Sequence, residues 1–109
     1  MAYDEELAHR IRAVLAGQTG VTEKRMFGGL GFLVNGNLAA SASSRGGLLL
    51  RVDPAETDAL VADPHVERAV MRGRPMDGWL RVAVADLPDD AIDDWIARGV
   101  AYARSLPSK

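Results

Sequence analysis

The amino-acid sequence predicts an α+β fold, a two-layer domain in which helices pack on one side of a five-stranded antiparallel sheet. Apolar residues recur with helical spacing at both ends of the chain and briefly after residue 53, whereas the segments between them alternate as strands do. The resulting order is α-β-β-β-α-β-β-α. Strands that follow one another directly favour antiparallel pairing, which leaves the helices on one face. With 109 residues the chain supplies one core, so we expect residues 1–109 to form a single domain.

The first helix is predicted over residues 3–16. Its apolar residues recur at i, i+4, i+7 and i+8 and therefore share one face: Leu7, Ile11, Val14 and Leu15. Acidic residues 4–6 suit the positive end of the helix dipole, and Gly17 ends the helix.

Residues 22–52 are predicted to form a three-stranded meander with turns at Asn35-Gly36 and at residues 44–47. A two-residue turn would split the apolar side chains between both faces, so we expect a three-residue loop, Val34–Gly36, with a bulge at Gly36. That register collects one apolar face: Leu30, Phe32, Leu38, Ala40 and Ala42. The other face is then small, fairly polar and expected to be exposed: Gly29, Gly31, Leu33, Asn37, Ala39 and Ser41.

The glycine-rich run from Phe27 to Gly31 could be a phosphate-binding loop or part of a strand. A dinucleotide-binding fingerprint needs G-x-G-x-x-G between a strand and a helix, but Val34 stands at the third glycine position and another strand follows. We therefore interpret the run as a strand with a bulge at Gly28-Gly29, where another backbone or side chain approaches closely.

Alternation also predicts the later strands. Leu48, Leu50 and Val52 point inward in the third strand, whereas Leu49 and Arg51 point outward. A short helix begins at Asp53-Pro54 and ends near residues 63–64, with an acidic N-cap and proline at its first position. Residues 67–72 form the fourth strand and "RGRPMDG" a loop. In the fifth strand, "WLRVAVA", the inward side chains are Leu80, Val82 and Val84, and the outward ones include Trp79 and Arg81.

The last helix is predicted over residues 88–106. Its first turns carry a cluster of acidic residues: Asp89, Asp90, Asp93 and Asp94. Favourable interaction with the helix dipole and an Asp94–Arg98 pair explain this cluster better than a cation site, so we predict no metal. His9 and His65 are interpreted as surface residues, because no catalytic arrangement can be built around either.

Composition excludes several classes of function. Thirteen basic and fifteen acidic residues give a net charge of −2, which argues against direct binding of nucleic acid by this chain alone. The absence of cysteine excludes thiol catalysis, disulfides and thiolate metal sites. No long apolar run or export signal is present, so we expect a cytoplasmic protein that does not enter a membrane.

The second half of the chain carries the candidate site. Arg68, Arg72, Arg74 and Arg81 lie within fourteen residues of one another. With Trp79 they could anchor a protein partner or contact nucleic acid by charge and stacking, or they could form a solvated loop whose tryptophan covers a sheet edge. Outward alternation adds Arg51 to the same face. The predicted partner-binding residues are Arg51, Trp79, Arg81, Arg72 and Arg74.

A small-ligand pocket between sheet and helices is the alternative function. Its lining would comprise Phe32, Leu50, Trp95 and Met26, residues that serve equally well as plain core.

Four segments resemble the N-terminal domain of the TfoX/Sxy family, in particular its small single-domain relatives: "KRMFGG", "GFLVNGNLAASAS", "GGLLLRVDP" and "RGRPMDGWLRV". The similarity runs over nearly the whole chain and implies an α+β fold with an antiparallel sheet. The residues that match the family motif are Arg25, Met26, Phe27, Gly28 and Gly29. They are expected to serve packing, with Phe27 in the core.

The resemblance also implies a function. Better-known family members regulate competence genes together with a cyclic-AMP receptor protein at promoters and have no known enzymatic activity. Their helical C-terminal domain is expected to be absent here. We therefore expect a non-enzymatic regulatory or protein-interaction domain without a cofactor, whose partner is a protein such as a component of the transcription machinery. A homodimer through the same face is a further expectation.

Overall fold

The computed structural model describes residues 3–26, 28–44, 46–71 and 73–108, with the side chain of Met71 excepted. Its elements are α1 (Glu5–Leu15), β1 (Val21–Met26), β2 (Gly29–Val34), β3 (Asn37–Ala42), β4 (Leu48–Arg51), a 3-10 turn (Pro54–Glu56), α2 (Thr57–Leu60), β5 (Val66–Met71), β6 (Arg74–Val82) and α3 (Asp89–Ser105). The α+β class and the single antiparallel sheet are confirmed. Within the described ranges the sheet has six strands, in the order β1-β2-β3-β4-β6-β5, and not the five predicted.

The sixth strand arises because the first predicted strand is divided in two. Met26 pairs with Gly29, so the chain reverses direction between β1 and β2, and Gly28 lies in the turn. Gly28 has a φ of +77°, a conformation that glycine adopts at no steric cost. A turn therefore replaces the predicted bulge. Phe27 lies outside the described residues, and its predicted place in the core stays a prediction.

The β2–β3 hairpin has a two-residue turn. Val34 pairs with Asn37, and both turn residues, Asn35 and Gly36, have positive φ angles of +52° and +84°. Two consecutive positive φ angles give the turn whose twist matches that of the flanking strands, and Asn-Gly is its preferred sequence. The predicted three-residue loop is therefore wrong.

A bulge farther along β3 restores the apolar face. Leu33 pairs with Leu38 but Phe32 pairs with Ala40, which leaves Ala39 as the extra residue. Leu30, Phe32, Ala40 and Ala42 consequently share the core face, as predicted. Leu38 lies on the opposite face, contrary to the prediction.

Two residues expected on the exposed face of the meander lie in the core layer instead. Ala39 is fully buried and belongs to the main core. Asn37 is 1% exposed, and its side-chain amide donates a hydrogen bond of 2.9 Å to the carbonyl of Pro107, just beyond α3. The buried amide is thus satisfied and fixes the C-terminal segment against β3.

The segment predicted as the loop "RGRPMDG" is largely strand. Residues from Arg74 onward belong to β6, and Met76 pairs with Ala69 on β5. The register shifts between Arg68 and Ala69, so residues 77–79 of β6 have no partner on β5. This wide irregularity bends β6 directly before Trp79.

The two long helices cover one face of the sheet. The buried stripe of α3 comprises Ile92, Ile96, Gly99, Val100 and Ala103. Arg10 of α1 ties the helices together by ion pairs with Asp89 and Asp93 of α3. The predicted Asp94–Arg98 pair is replaced by one between Arg98 and Glu56 at 3.4 Å. None of the helices in the described ranges is both long enough and apolar enough to span a bilayer.

Candidate partner-binding surface

The face of the sheet that α1 and α3 do not cover, here called the open face, is organised around one cross-strand row. The row crosses the sheet in register and consists of Lys24, Gly31, Ser41, Leu49, Arg81 and Glu67. Beside this row, Arg51 pairs with Trp79, and Leu33 pairs with Leu38. Because side chains alternate along each strand, the next row points into the core: Phe32, Ala40, Leu50 and Leu80.

The centre of the open face is a small apolar cluster and not the exposed, polar surface that the sequence predicts. Leu38, Leu49 and Ser41 are 8%, 9% and 3% exposed although no helix covers them. Gly31 makes room for longer side chains, since a Cβ there would lie 2.7 Å from the sulfur of Met26 and 3.1 Å from Leu38 Cδ1. Longer side chains that fold across these small residues therefore bury the apolar cluster.

Arg51 and Trp79 form a cation–π contact on adjacent strands. The guanidinium carbon of Arg51 lies 5.4 Å from the centroid of the Trp79 ring and 5.9 Å from that of Tyr102 on α3. Both distances are within the range of cation–π attraction. Trp79 is half-buried and lies outside the core, as its alternation with Leu80 and Val82 predicts. Tyr102 is not among the residues that the sequence predicts for this surface.

A buried hydrogen bond positions the bend that precedes Trp79. The hydroxyl oxygen of Thr57, which is 1% exposed, accepts a bond of 2.8 Å from the backbone N–H of Gly78. The carbonyl of Gly78 accepts from the backbone N–H of Val52 at 2.9 Å, so both polar groups of this residue are satisfied. Thus α2 and the end of β4 together fix the start of the paired part of β6.

We expect Thr57→Val to lower the free energy of unfolding by about 1–3 kcal/mol, because valine keeps the volume but leaves the Gly78 N–H buried without an acceptor. Urea denaturation followed by circular dichroism measures this loss. The matched control is Thr22→Val at an exposed position of β1, where we expect a change within about 0.5 kcal/mol. Equal effects of the two substitutions would contradict the role assigned to Thr57.

Four arginines on the helix side of the molecule form ion pairs with carboxylates, whereas Arg104 donates hydrogen bonds to the side chain of Gln18 and the carbonyl of Thr19. Arg12 binds both oxygens of Glu23 at 2.7 and 2.8 Å, and these hydrogen bonds lower the pKa of Glu23. Arg68 binds Asp77 at 2.8 Å and also Asp58, which raises the pKa of the arginine. The ion pairs of Arg10 and Arg98 described above follow the same pattern.

The two arginines of the open face, Arg51 and Arg81, contact neutral groups instead of carboxylates. Arg81 donates a long hydrogen bond of 3.4 Å to the hydroxyl of Ser43, and Arg51 lies against two aromatic rings. Within the part of the chain that the structure describes, neither arginine is within 4.0 Å of a carboxylate oxygen. Among the described residues, therefore, no ion pair neutralises either charge.

The remaining predicted site residues are dispersed. Arg74 is exposed at the first position of β6, beyond the irregularity, and Arg72 lies outside the described residues. Of the family motif, Arg25 is exposed on the core side of β1, opposite Leu30, whereas Met26 lies on the open face against Gly31. The structure thus brings together three of the five predicted partner-binding residues: Arg51, Trp79 and Arg81.

Three of the four residues predicted to line a ligand pocket do not share a cavity in the described part of the chain. Phe32 and Leu50 are 0% exposed within the core, and Met26 lies on the other side of the sheet. Two grooves among the described residues lie elsewhere, one beside His65 and Arg81 and the other between α3 and the segment after β4. His65 contacts Asp63 at 3.2 Å in a local turn, and the described residues contain no group of acidic or histidine side chains arranged to hold a metal.

Comparison with known proteins gives one finding. The model of a protein family, the TfoX N-terminal domain, matches residues 13–103. The match begins within α1 and extends through the sheet to the last turn of α3, so it includes every strand of the open face. Neither the curated proteins nor the solved structures gave a match.

Proposed function

Because the chain belongs to the TfoX N-terminal domain family, we propose that it is a non-enzymatic regulatory domain that binds a protein partner through its open face. The observation that carries this proposal is the position of Arg51, stacked on Trp79 and Tyr102 without a carboxylate of its own. A transcriptional co-regulator of the competence type is the form of this role that the family suggests.

The composition of the open face suits protein recognition. Tryptophan and arginine dominate the binding energy of many protein interfaces, especially where they lie at the centre of the contact. Stacking restricts the guanidinium of Arg51 before any partner arrives, so less side-chain entropy is lost on binding. Its N–H groups remain in the plane of the guanidinium and can donate two parallel hydrogen bonds to an acceptor.

We assign no chemistry to this surface. Catalysis of acyl or phosphoryl transfer requires a nucleophile or base placed beside an oxyanion or phosphate site. The hydroxyl of Ser41 is in a 3% exposed residue, and the cross-strand row contains no histidine. The surface therefore has the means to bind but no group poised to react.

Direct binding to nucleic acid is not part of the proposal. Affinity for a phosphate backbone grows with the number of phosphates that the protein neutralises. The described part of the open face offers Lys24, Arg51 and Arg81 against Glu67, within a chain of net charge −2. Three cations provide few such contacts.

The test is affinity capture from native lysate with wild-type protein and with Arg51→Glu, read out by mass spectrometry. We expect at least one protein to be enriched by the wild type and reduced about tenfold or more by Arg51→Glu, since charge reversal at an interface centre costs more than about 1.4 kcal/mol. Trp79→Ala should give the same loss.

Arg98→Glu is the matched control for this capture experiment, because Arg98 also stacks on a tryptophan, Trp95, at 5.6 Å but lies on α3. It should capture the same proteins as the wild type. If Arg51→Glu and Trp79→Ala keep their circular dichroism melts and capture every partner unchanged, the assignment of the open face is wrong.

A further inference from the structure

We infer that the open face recognises an extended acidic segment of its partner, in which two carboxylate side chains are separated by one residue. This inference rests on the proposed function, since it names the chemistry of the partner at the same surface. It is carried by the charge distribution, by the positions of the two arginines on their strands, and by the absence of an ion pair at either arginine among the described residues.

Charge is divided between the two sides of the domain. Of the fifteen acidic residues, Glu67 alone belongs to the cross-strand row of the open face. The others lie on the helices, in the connections, at the bend of β6 beside Arg68, or on the core side of β1 beside Arg12. Although the net charge of the chain is −2, the central charges of the open face are cationic, and such a face attracts negatively charged partners.

The spacing of the two central arginines favours a particular pattern of acidic residues. Arg51 pairs with Trp79, and Arg81 pairs with Leu49, so the two arginines are diagonal neighbours on adjacent antiparallel strands. Diagonal neighbours on one face are separated by roughly 7–8 Å. In an extended peptide, side chains two residues apart point to the same side and lie about 7 Å apart. The backbone positions of the two arginines therefore match the spacing of two such carboxylates.

Each arginine has an apolar side chain opposite it on the neighbouring strand: Trp79 on β6 lies opposite Arg51, and Leu49 on β4 lies opposite Arg81. Leu49 is 9% exposed and Trp79 is half-buried, so the strand positions next to the two arginines carry apolar side chains. Low local polarity strengthens hydrogen bonds between arginine and carboxylate once water is excluded. We therefore expect two carboxylates to form stronger hydrogen bonds with these arginines than carboxylates form in the solvated ion pairs on the helix side.

The experiment is a ¹⁵N–¹H NMR titration of the whole chain with a short Gly-Ser peptide that carries two glutamates separated by one residue. We expect shifts in β4 and β6, with an affinity that falls as salt rises from 50 to 300 mM. Arg51→Glu and Arg81→Glu should each weaken binding at least tenfold, whereas Arg98→Glu should not. The double variant should instead bind the peptide in which lysines replace both glutamates.

Several outcomes would overturn the inference. The inference is wrong if the glutamate peptide does not shift wild-type resonances, or if a peptide with glutamines in place of the glutamates binds equally well. It is also wrong if an oligothymidylate binds more strongly at the same residues. Light scattering that shows a dimer lost in Arg51→Glu would assign the face to a second copy. If the peptide fails but captured proteins still depend on Arg51, the proposed function stands and the acidic motif is wrong. If both fail, the surface assignment itself is wrong.

Discussion

Phe32→Ala is expected to lower the free energy of unfolding by about 3–5 kcal/mol, the range for removing a large aromatic side chain from a core. Phe32 is 0% exposed at the middle of β2. Its cross-strand partner on β3 is Ala40, and Ala42 lies two residues farther along β3 on the same face. These small side chains cannot move in to fill the space, so most of the volume of the ring remains as a cavity.

The size of this loss matters because domains of this length are only marginally stable, at about 5–15 kcal/mol. Denaturation by urea, followed by tryptophan fluorescence and by circular dichroism, should show a large fall in the midpoint with little change in slope. Leu33→Ala, one residue along β2, is the matched control, since Leu33 is only half-buried on the open face. If both variants lose the same stability, Phe32 is not the centre of the core.

The parts of the fold that could be predicted are those in which one local pattern decides the outcome. The stripe of α3 needs only a 3.6-residue period, and the alternation of Leu80 and Val82 with Trp79 and Arg81 needs only a period of two. The same period of two predicts that Arg51, Trp79 and Arg81 point away from the core, and none of the three belongs to the core cluster.

The β2–β3 hairpin could not be predicted because two features compensate each other. The Asn35-Gly36 turn shifts the apolar pattern to the wrong face, and the bulge at Ala39 shifts it back. Residues 38–40 are all apolar, so nothing in their sequence shows which of them is the extra one. In this hairpin the strong preference of Asn-Gly for a two-residue turn decides the register, and the bulge restores the apolar face.

The contact of Tyr102 with Arg51 could not be predicted, for a different reason. Tyr102 approaches Arg51 only because α3 crosses the sheet near the end of β4, a contact between residues about fifty positions apart. The available signal was the i, i+3 spacing of Gly99 and Tyr102, which places both on neighbouring parts of one helix face. That spacing acquires meaning only once the helix is docked on the sheet.

Gly99→Val is expected to cost about 3 kcal/mol, the upper part of the usual range for overpacking. Gly99 lies where α3 passes directly over the bulge of β3. A Cβ built at this position would be 2.5 Å from the carbonyl oxygen of Ala39 and 2.9 Å from Leu50 Cδ2. A backbone oxygen within a sheet cannot rotate away as a side chain can. The helix must therefore rise from the sheet, which opens the core on both sides of the contact.

Gly99→Ala separates this clash from helix propensity because the two effects have opposite signs. At an exposed position in a helix, replacing glycine by alanine stabilises by about 0.5–1 kcal/mol. At Gly99 we expect destabilisation by about 1–2 kcal/mol, since the added methyl group meets the Ala39 oxygen before any gain in propensity can offset it. Ala101→Val, at an exposed position of α3, should cost about 0.5 kcal/mol and controls for β-branching. A urea midpoint that rises in Gly99→Ala would show that α3 does not approach β3 this closely, and the contact of Tyr102 with Arg51, which depends on the same docking, would then lose its support.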